Sequence, residues 1–310
     1  MRILVLGGCG FIGSHVVDEL ISSGHEVVVF DRHPERFRLP LSKVLFCQAD
    51  FGNRGELEGV LASGIDVVIH LVSSTAPQSS NDDPIFDVQT NLVEAIALLE
   101  ICVKHHIRKI VFVSSGGTVY GIPQVSPVPE THSTLPLCSY GITKLAIENY
   151  LQLFYKLHGL EYVILRVSNP YGARQDPHRK QGAVAVFMYK ILKDEDICVW
   201  GDGSIVRDFV HVSDVARACL VAAESQYVGI CNVGSGVGLS IKQLIIALQE
   251  VTGKIAHVNW QESRNFDVPD IVLDCSRIKR ELCWYPQTSM QNGLVDMHNW
   301  MITFIKSTKL

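Results

Sequence analysis

The sequence predicts an α/β fold, a doubly wound parallel sheet followed by a smaller α+β C-terminal lobe. Three observations predict it. Short apolar runs alternate with stretches of helical periodicity from Arg2 to Arg166. The first two of those runs bracket a glycine-rich turn. Beyond Asn169 the regular alternation gives way to shorter elements joined by polar, turn-rich segments.

Ile3-Leu4-Val5-Leu6 is a continuous apolar run, the kind that forms a strand covered on both faces. Gly7-Gly8-Cys9-Gly10-Phe11-Ile12-Gly13 turns it into an amphipathic helix, and Glu26-Val27-Val28-Val29-Phe30-Asp31 forms a second strand. Such a turn aims backbone N–H groups and the positive end of a helix dipole at one point, which suits a pyrophosphate. Gly7 permits the tight turn, Gly10 allows close backbone approach, and Gly13 lets the helix lie against the strand. Phe11 and Ile12 complete the cradle. Asp31 ends the second strand, where a carboxylate accepts hydrogen bonds from a ribose diol and repels a 2′-phosphate. The expected cofactor is therefore NAD rather than NADP. Arg32 could meet a 2′-phosphate, but beside Asp31 its expected place is in solvent or against the adenine.

Residues 33–41 form a polar connection to a third strand at 44–47. Asp50 follows, placed equally well to receive the adenine amino group or to cap the next helix. Residues 66–71 form a fourth strand that opens into Ser73, Ser74 and Thr75. Residues 84–105 carry helical periodicity, with Ile85, Val88, Leu92, Ile96 and Leu99 on one face and Asn91 interrupting it. A fifth strand at 110–113 opens into Ser114-Ser115-Gly116-Gly117-Thr118-Val119-Tyr120-Gly121. Ligands bind at the carboxyl edge of such a sheet, so Phe51, Leu71, Ser73, Asn91 and Ser114 are further cofactor-facing candidates.

These elements describe a Rossmann-type sheet. Residues 1–168 are expected to form the NAD-binding domain and 169–310 mainly a substrate-binding lobe, with a segment near 207–230 returning to the first domain. The proline-rich loop at 123–136 is expected to be functional or lid-like. A helix begins near Ser139 and runs toward His158, and a strand at 162–166 leads to Asn169-Pro170-Tyr171-Gly172. An apolar helix ending near Lys193 and a short strand at 197–200 follow. Gly201-Asp202-Gly203 then turns into Arg207-Asp208-Phe209-Val210-His211-Val212, and helices are expected at 241–252 and 276–282.

Composition narrows the function class. Hydrophobic residues make up 47% and charged residues 19% of the 310, a globular enzyme's profile. The net charge of −5 gives no general attraction for nucleic acid, so an anionic ligand must be held by local arginines. No apolar run approaches the ~18 residues of a membrane span. The chain enters its first strand at once, so a cytoplasmic location is expected. Nine cysteines without a Cys-x-x-Cys pair read as reduced thiols. Neither Cys9 nor Cys102 with His105 and His106 has a second ligand cluster at metal spacing, and no metal is expected.

Tyr140 and Lys144 lie four apart at the start of a helix and project from one face. An ammonium and a nicotinamide cation near the phenol would both favour the phenolate, making Tyr140 a base for a hydroxyl proton while hydride leaves for NAD.

Read together, Gly7-x-x-Gly10-x-x-Gly13, Asp31, Ser114-Ser115, Val119-Tyr120-Gly121, the Tyr140/Lys144 pair, Asn169-Pro170-Tyr171-Gly172 and Arg207-Asp208-Phe209 resemble the extended short-chain dehydrogenase/reductase family. The likeness is to its NAD-dependent nucleotide-sugar epimerase and dehydratase branch and covers nearly the whole chain. It implies that Tyr140 and Lys144 are the catalytic pair and also touch the cofactor. It further implies that Asn169 contacts the sugar diphosphate and that Arg207 and Arg264 clamp it. The sequence departs from the family at Gly116, where a serine or threonine hydroxyl is usual. Thr118 is the nearest replacement and Ser115 the next.

Relatives that dehydrate carry an acid pair at the positions of Gly117 and Thr118, and decarboxylating relatives keep a glutamate at Thr118's position. Neither acid is present, so the resemblance implies a UDP-sugar 4-epimerase with tightly held NAD. The alternatives are a dehydratase or NAD(P)-dependent reductase of the same family, or a non-catalytic NAD-sensing protein. Ile271 occupies the position that gates space beside the sugar C2 substituent, and its intermediate size leaves UDP-glucose, an N-acetylamino sugar or a uronic acid open. The resemblance also implies a homodimer, joined through the helices at 84–105 and 140–158.

Overall fold

The structure, a computed structural model, describes residues 1–38, 41–179, 182–262 and 270–307. Seven parallel strands form its main sheet. In chain order these are β1 (Arg2–Leu6), β2 (Glu26–Asp31), β3 (Leu45–Gln48), β4 (Val67–His70), β5 (Lys109–Ser115), β6 (Glu161–Val167) and β10 (Gly229–Val233). Across the sheet they run β10-β6-β5-β4-β1-β2-β3. The order reverses between β1 and β4, and ligands bind at that kind of crevice.

Alternation along each strand feeds two cores. Ile3, Val5, Val27, Val29, Val67 and Ile69 face one side, packed against α1 (Phe11–Ser22) and α8 (Val212–Glu224). Leu4, Leu6, Val28, Phe30 and Val68 face the other, packed against α2 (Arg54–Leu61), α5 (Glu94–Lys104) and α6 (Ser139–His158). Side chains of period two covered on both faces explain why these strands read as unbroken apolar runs.

The helix expected at 84–105 is divided. After the short α3 (Ser79–Asp82), α4 (Pro84–Asp87) runs into a π-helical turn, Val88–Val93, before α5 begins. Asn91 is the cause. Its Nδ2 donates to the Asp87 carbonyl at 3.0 Å and its Oδ1 accepts from Ser74 N at 2.9 Å, so the side chain competes with the helical ladder. The third strand lies one residue later than expected.

The loop at 123–136 is not free to act as a lid. Val128 is fully buried, donates its N–H to the Val272 carbonyl at 2.8 Å, and accepts from Asp274 N and Asn232 Nδ2. Glu130 also accepts from Asn232 N.

The C-terminal lobe has its own sheet of β9 (Val206–His211) flanked by β11 (Gly238–Ser240) and β13 (Asp270–Ile271), with β7 (Asn169–Tyr171) also pairing with β9. A second, two-stranded sheet joins β8 (Ile197–Trp200) to β12 (Val258–Gln261). Helices α7 (Ala183–Leu192), α9 (Ile241–Thr252) and α11 (Met290–Ser307) close a third apolar core. α10 (Ser276–Leu282) packs instead on β10. The chain returns to the main layer after β9, where α8 lies on α1 and β10 extends the sheet beside β6. No helix among the described residues is long and apolar enough to cross a membrane.

Candidate active site

A cleft of about 710 Å³ opens at the carboxyl edge of the sheet where the strand order reverses. That volume lies within the roughly 300–1,000 Å³ typical of ligand pockets. Gly7, Gly10, Phe11, Ile12 and Gly13 form one wall. Gly13 has no room for a side chain, since a Cβ there would stand 2.1 Å from the Gly7 carbonyl oxygen. Gly7 has φ +81°, a left-handed conformation that suits glycine. The turn thus holds the N-terminus of α1 against the end of β1 and leaves its N–H groups facing the cleft, a cradle that fits a dinucleotide pyrophosphate.

Asp31 lines the same cleft. Its carboxylate is fixed by two backbone donors, Cys9 N to Oδ2 and His33 N to Oδ1, each at 3.0 Å. Arg32, Asp50, Phe51, Leu71 and Ser73 also line the cleft. Asp50 Oδ1 accepts from Gly52 N at 2.9 Å, whereas Asn53 caps α2 by accepting from Glu56 N. The capping alternative for Asp50 is therefore taken by Asn53.

Two cofactor candidates stand behind the wall. Ser114 is buried and donates to Glu148 Oε1 at 2.5 Å, so its hydroxyl faces α6. Asn91 holds the loop that opens into the cleft through Ser74 N. Neither belongs to the cleft lining, because each side chain is committed to an internal partner.

Tyr140 reaches the cleft from the first turn of α6. The N-cap residue Cys138 makes no side-chain cap. Asn81 Oδ1 and Ser80 Oγ instead accept from the N–H groups of Ser139 and Tyr140, both at 2.9 Å. One turn on, Lys144 is buried, with Nζ 4.7 Å from the Phe112 ring centre and 5.6 Å from that of Tyr140. It donates to the Val113 carbonyl at 3.0 Å. Burial brings its pKa down from 10.5 to about 8, opposed by the negative charges of Glu148 and Asp87. The Tyr140 phenol is pushed up, chiefly by burial and further by Cys138 and Asp87. Among the protein's own groups, burial outweighs the ammonium that the spacing alone brings near the phenol.

Gly116 sits at the end of β5, where a Cβ would meet Leu273 Cδ1 at 2.5 Å and the Arg166 carbonyl at 3.0 Å. Leu273 fills the space that a side chain at 116 would need. Thr118 packs against Gly141, next to Tyr140, and among the described residues its hydroxyl has only a long contact of 3.5 Å with the Ser115 carbonyl. Ser115 is half-buried at the strand end. In the lobe, Asn169 Nδ2 donates to the Asp208 carbonyl at 3.0 Å, and Arg207 lies on β9, in register with Ile271. Ile271 is buried in a cluster with Val119, Tyr120 and Val128, so its side chain belongs to the core. Arg264 lies outside the described residues.

A second stretch of the lining carries no periodic signal in the sequence. Arg36, Phe37, Arg174, Gln175 and Arg179 also line the cleft. Arg174 donates to Asp18 Oδ2 at 2.7 Å, and Arg38 pairs with the other oxygen of the same carboxylate, tying two loops to α1. Phe37 meets Trp300 and Phe304 of α11 edge-on at 5.7 and 5.9 Å. These loops have no periodicity, and only their arginine content hinted at an anion. No group of three or more potential metal ligands occurs among the described residues.

Residues 3–234 match a family described as the NAD dependent epimerase/dehydratase family. A UDP-glucose 4-epimerase of Mycolicibacterium smegmatis is 35% identical over 302 residues, which cover 95% of this chain and 96% of that protein. The crystal structure of a UDP-glucose 4-epimerase from Thermotoga maritima with UDP-glucose superposes with a TM-score of 0.94 at 36% identity, covering 98% of this chain and all of the other. A Thermus thermophilus UDP-glucose 4-epimerase in complex with NAD gives 0.91 at 34% identity, covering 97% and 99%.

Proposed function

Because this chain belongs to the NAD-dependent epimerase/dehydratase family, we propose that it is an isomerase, an NAD-dependent UDP-sugar 4-epimerase. It interconverts UDP-glucose and UDP-galactose or their N-acetylamino forms. The observation that carries this reading is the placement of Tyr140 in the cleft lined by the glycine turn and Asp31, with the Lys144 ammonium buried one helical turn below.

The residues that hold NAD are the Gly7–Gly13 turn at the pyrophosphate, Asp31 at a ribose diol, and Phe51, Leu71 and Ser73 along the sheet edge. NAD held there would supply a reversible hydride acceptor for C4 and a positive ring that favours the phenolate. Lys144 holds Tyr140 as the phenolate, which takes the proton of the C4 hydroxyl and becomes the phenol. Arg207, with Arg264 and Asn169, keeps the diphosphate in place while the 4-keto sugar turns its other face. Tyr140 then returns its proton to the oxygen at C4. Thr118, and after it Ser115, contributes the hydroxyl that Gly116 lacks.

An NMR panel of UDP-sugars tests the reading. Gluco and galacto isomers should interconvert without net NADH formation. Stoichiometric release of NADH would instead identify a reductase or dehydrogenase, and retained NAD without turnover a sensor.

The protein acts as a homodimer. The region from α4 to α5 and helix α6 pack side by side and leave Ile85, Val93, Leu153 and Leu157 exposed, four large apolar residues on the two helical segments. Light scattering should give twice the chain mass, and Leu153→Glu with Leu157→Glu should give monomers. We place the enzyme in the cytoplasm, in keeping with nine cysteines that are all free thiols. Cell fractionation checks this.

A further inference from the structure

Asp87 is fully buried at the end of α4. No ion pair reaches it among the described residues, yet its carboxylate collects four neutral donors. Oδ1 accepts from Thr75 Oγ1 and from Asn91 Nδ2, the latter at 3.1 Å. Oδ2 accepts from Ser139 Oγ and Thr143 Oγ1, both at 2.7 Å. Buried carboxylates are costly unless they are this fully hydrogen-bonded. Ser139 and Thr143 stand one residue before and three after Tyr140 on α6. Thr75 lies in the loop after β4 and lines the cofactor cleft. One carboxylate therefore joins the cofactor loop to both sides of the tyrosine.

We propose that Asp87 is a positioning residue of the catalytic pair: its buried carboxylate fixes Tyr140 through Ser139 and Thr143, and its charge sets the pH range in which Tyr140 and Lys144 work. This rests on the epimerase reading above. The charge acts on both members of the pair in the same sense, since a nearby anion makes the phenol harder to ionise and the ammonium harder to lose. Other titratable groups also face the pair. Cys138 precedes α6 and acts on Tyr140, while Glu148 lies on α6 and favours the Lys144 ammonium more strongly than Asp87 does, but it is paired with bidentate Arg166 of β6. His70 of β4 is held neutral by burial and by Lys144, with its pKa near 3. Asp82 and Asp83, on the packed α3–α4 segment, are exposed to solvent screening. Asp87 is the buried charge beside the pair that has no counter-ion.

The test compares Asp87→Asn with the double variant Ser139→Ala/Thr143→Val in the intact protein. Asp87→Asn should lower kcat about tenfold or more, with KM within about twofold, and move the whole pH profile of kcat toward lower pH. The double variant keeps the charge, so it should lower kcat similarly and leave the profile where it is. An Asp87→Asn profile that only scales down without moving overturns the proposal. If Asp87→Asn does not fold, the double variant decides: a loss of kcat at constant KM supports positioning, and wild-type kcat overturns it. Should the unaltered protein epimerise nothing, the functional reading fails separately. Tyr140 ionisation, read as tyrosinate absorbance lost in Tyr140→Phe, then decides the matter. It occurs at lower pH in Asp87→Asn if the proposal holds and at the same pH if it does not.

Discussion

Replacing Lys144 by methionine should lower turnover by orders of magnitude while leaving the fold at least as stable at pH 7. Lys144 is buried, and its pKa of about 8 lies well below the ordinary 10.5. At 1.36 kcal/mol per pH unit, that interval makes the buried ammonium a cost of about 3 kcal/mol to the folded state. The folded lysine binds its proton less tightly than the unfolded one. The cost is therefore fully present below pH 8, shrinks as pH rises toward 10.5, and vanishes above it. Methionine fills similar space without a charge. It gives up the 3.0 Å bond to the Val113 carbonyl, worth about 1 kcal/mol. The net gain is about 2 kcal/mol at pH 7. Urea unfolding of nucleotide-free protein at pH 7 and pH 10, with turnover measured alongside, reads both effects. The midpoint should rise at pH 7, the difference should narrow at pH 10, and kcat should fall by about 10²–10⁴-fold. A variant destabilised by about 1 kcal/mol or more at pH 7 would refute the view that this ammonium is kept for chemistry at the expense of the fold.

Three further outcomes follow from contacts already described. Gly13→Ala places a Cβ 2.1 Å from the Gly7 carbonyl oxygen and must push α1 off the turn. The purified variant should lack bound nucleotide by absorbance and bind NAD at least about 100-fold more weakly. Gly116→Ser drives a side chain into Leu273 and should cost about 1–3 kcal/mol in thermal unfolding, with Leu273→Ala in the same chain restoring much of the loss. Thr118→Val should lower kcat/KM about tenfold or more with little change in melting temperature. An unchanged kcat/KM would pass the hydroxyl role to Ser115.

The main sheet was legible because its physics is local. Strands covered on both faces must be apolar throughout, and a turn that brings a helix within reach of a strand end must be glycine. The C-terminal helix α11 escaped notice because its buried positions, Gly293, Leu294, Met297 and Met301, are spread among polar residues. The break at 88–93 could be suspected from Asn91 but not placed, since it depends on Ser74, seventeen residues earlier in the chain. Candidate residues chosen for lying after strands reached the cleft where the chain turns outward, as at Leu71 and Ser73. Ser114 instead turned inward because Glu148, an acid on a helix thirty-four residues later, holds its hydroxyl. The arginines at 36, 174 and 179 carry no periodic signal, and only the folded loops bring them to one wall.

The edge-on contacts of Phe37 with Trp300 and Phe304 bear on how the protein is made. A ribosome releases the whole glycine-turn half long before residue 300 exists, and domains fold as they emerge. The cleft wall at Phe37, tied to α1 through Arg38, nevertheless lacks its aromatic backing until α11 has been synthesised and docked. Nucleotide captured earlier would sit in a groove with one side only partly supported and exchange faster. Durable loading of the cofactor thus becomes a late event in the life of each chain, and a nascent protein stalled before residue 300 should emerge without it.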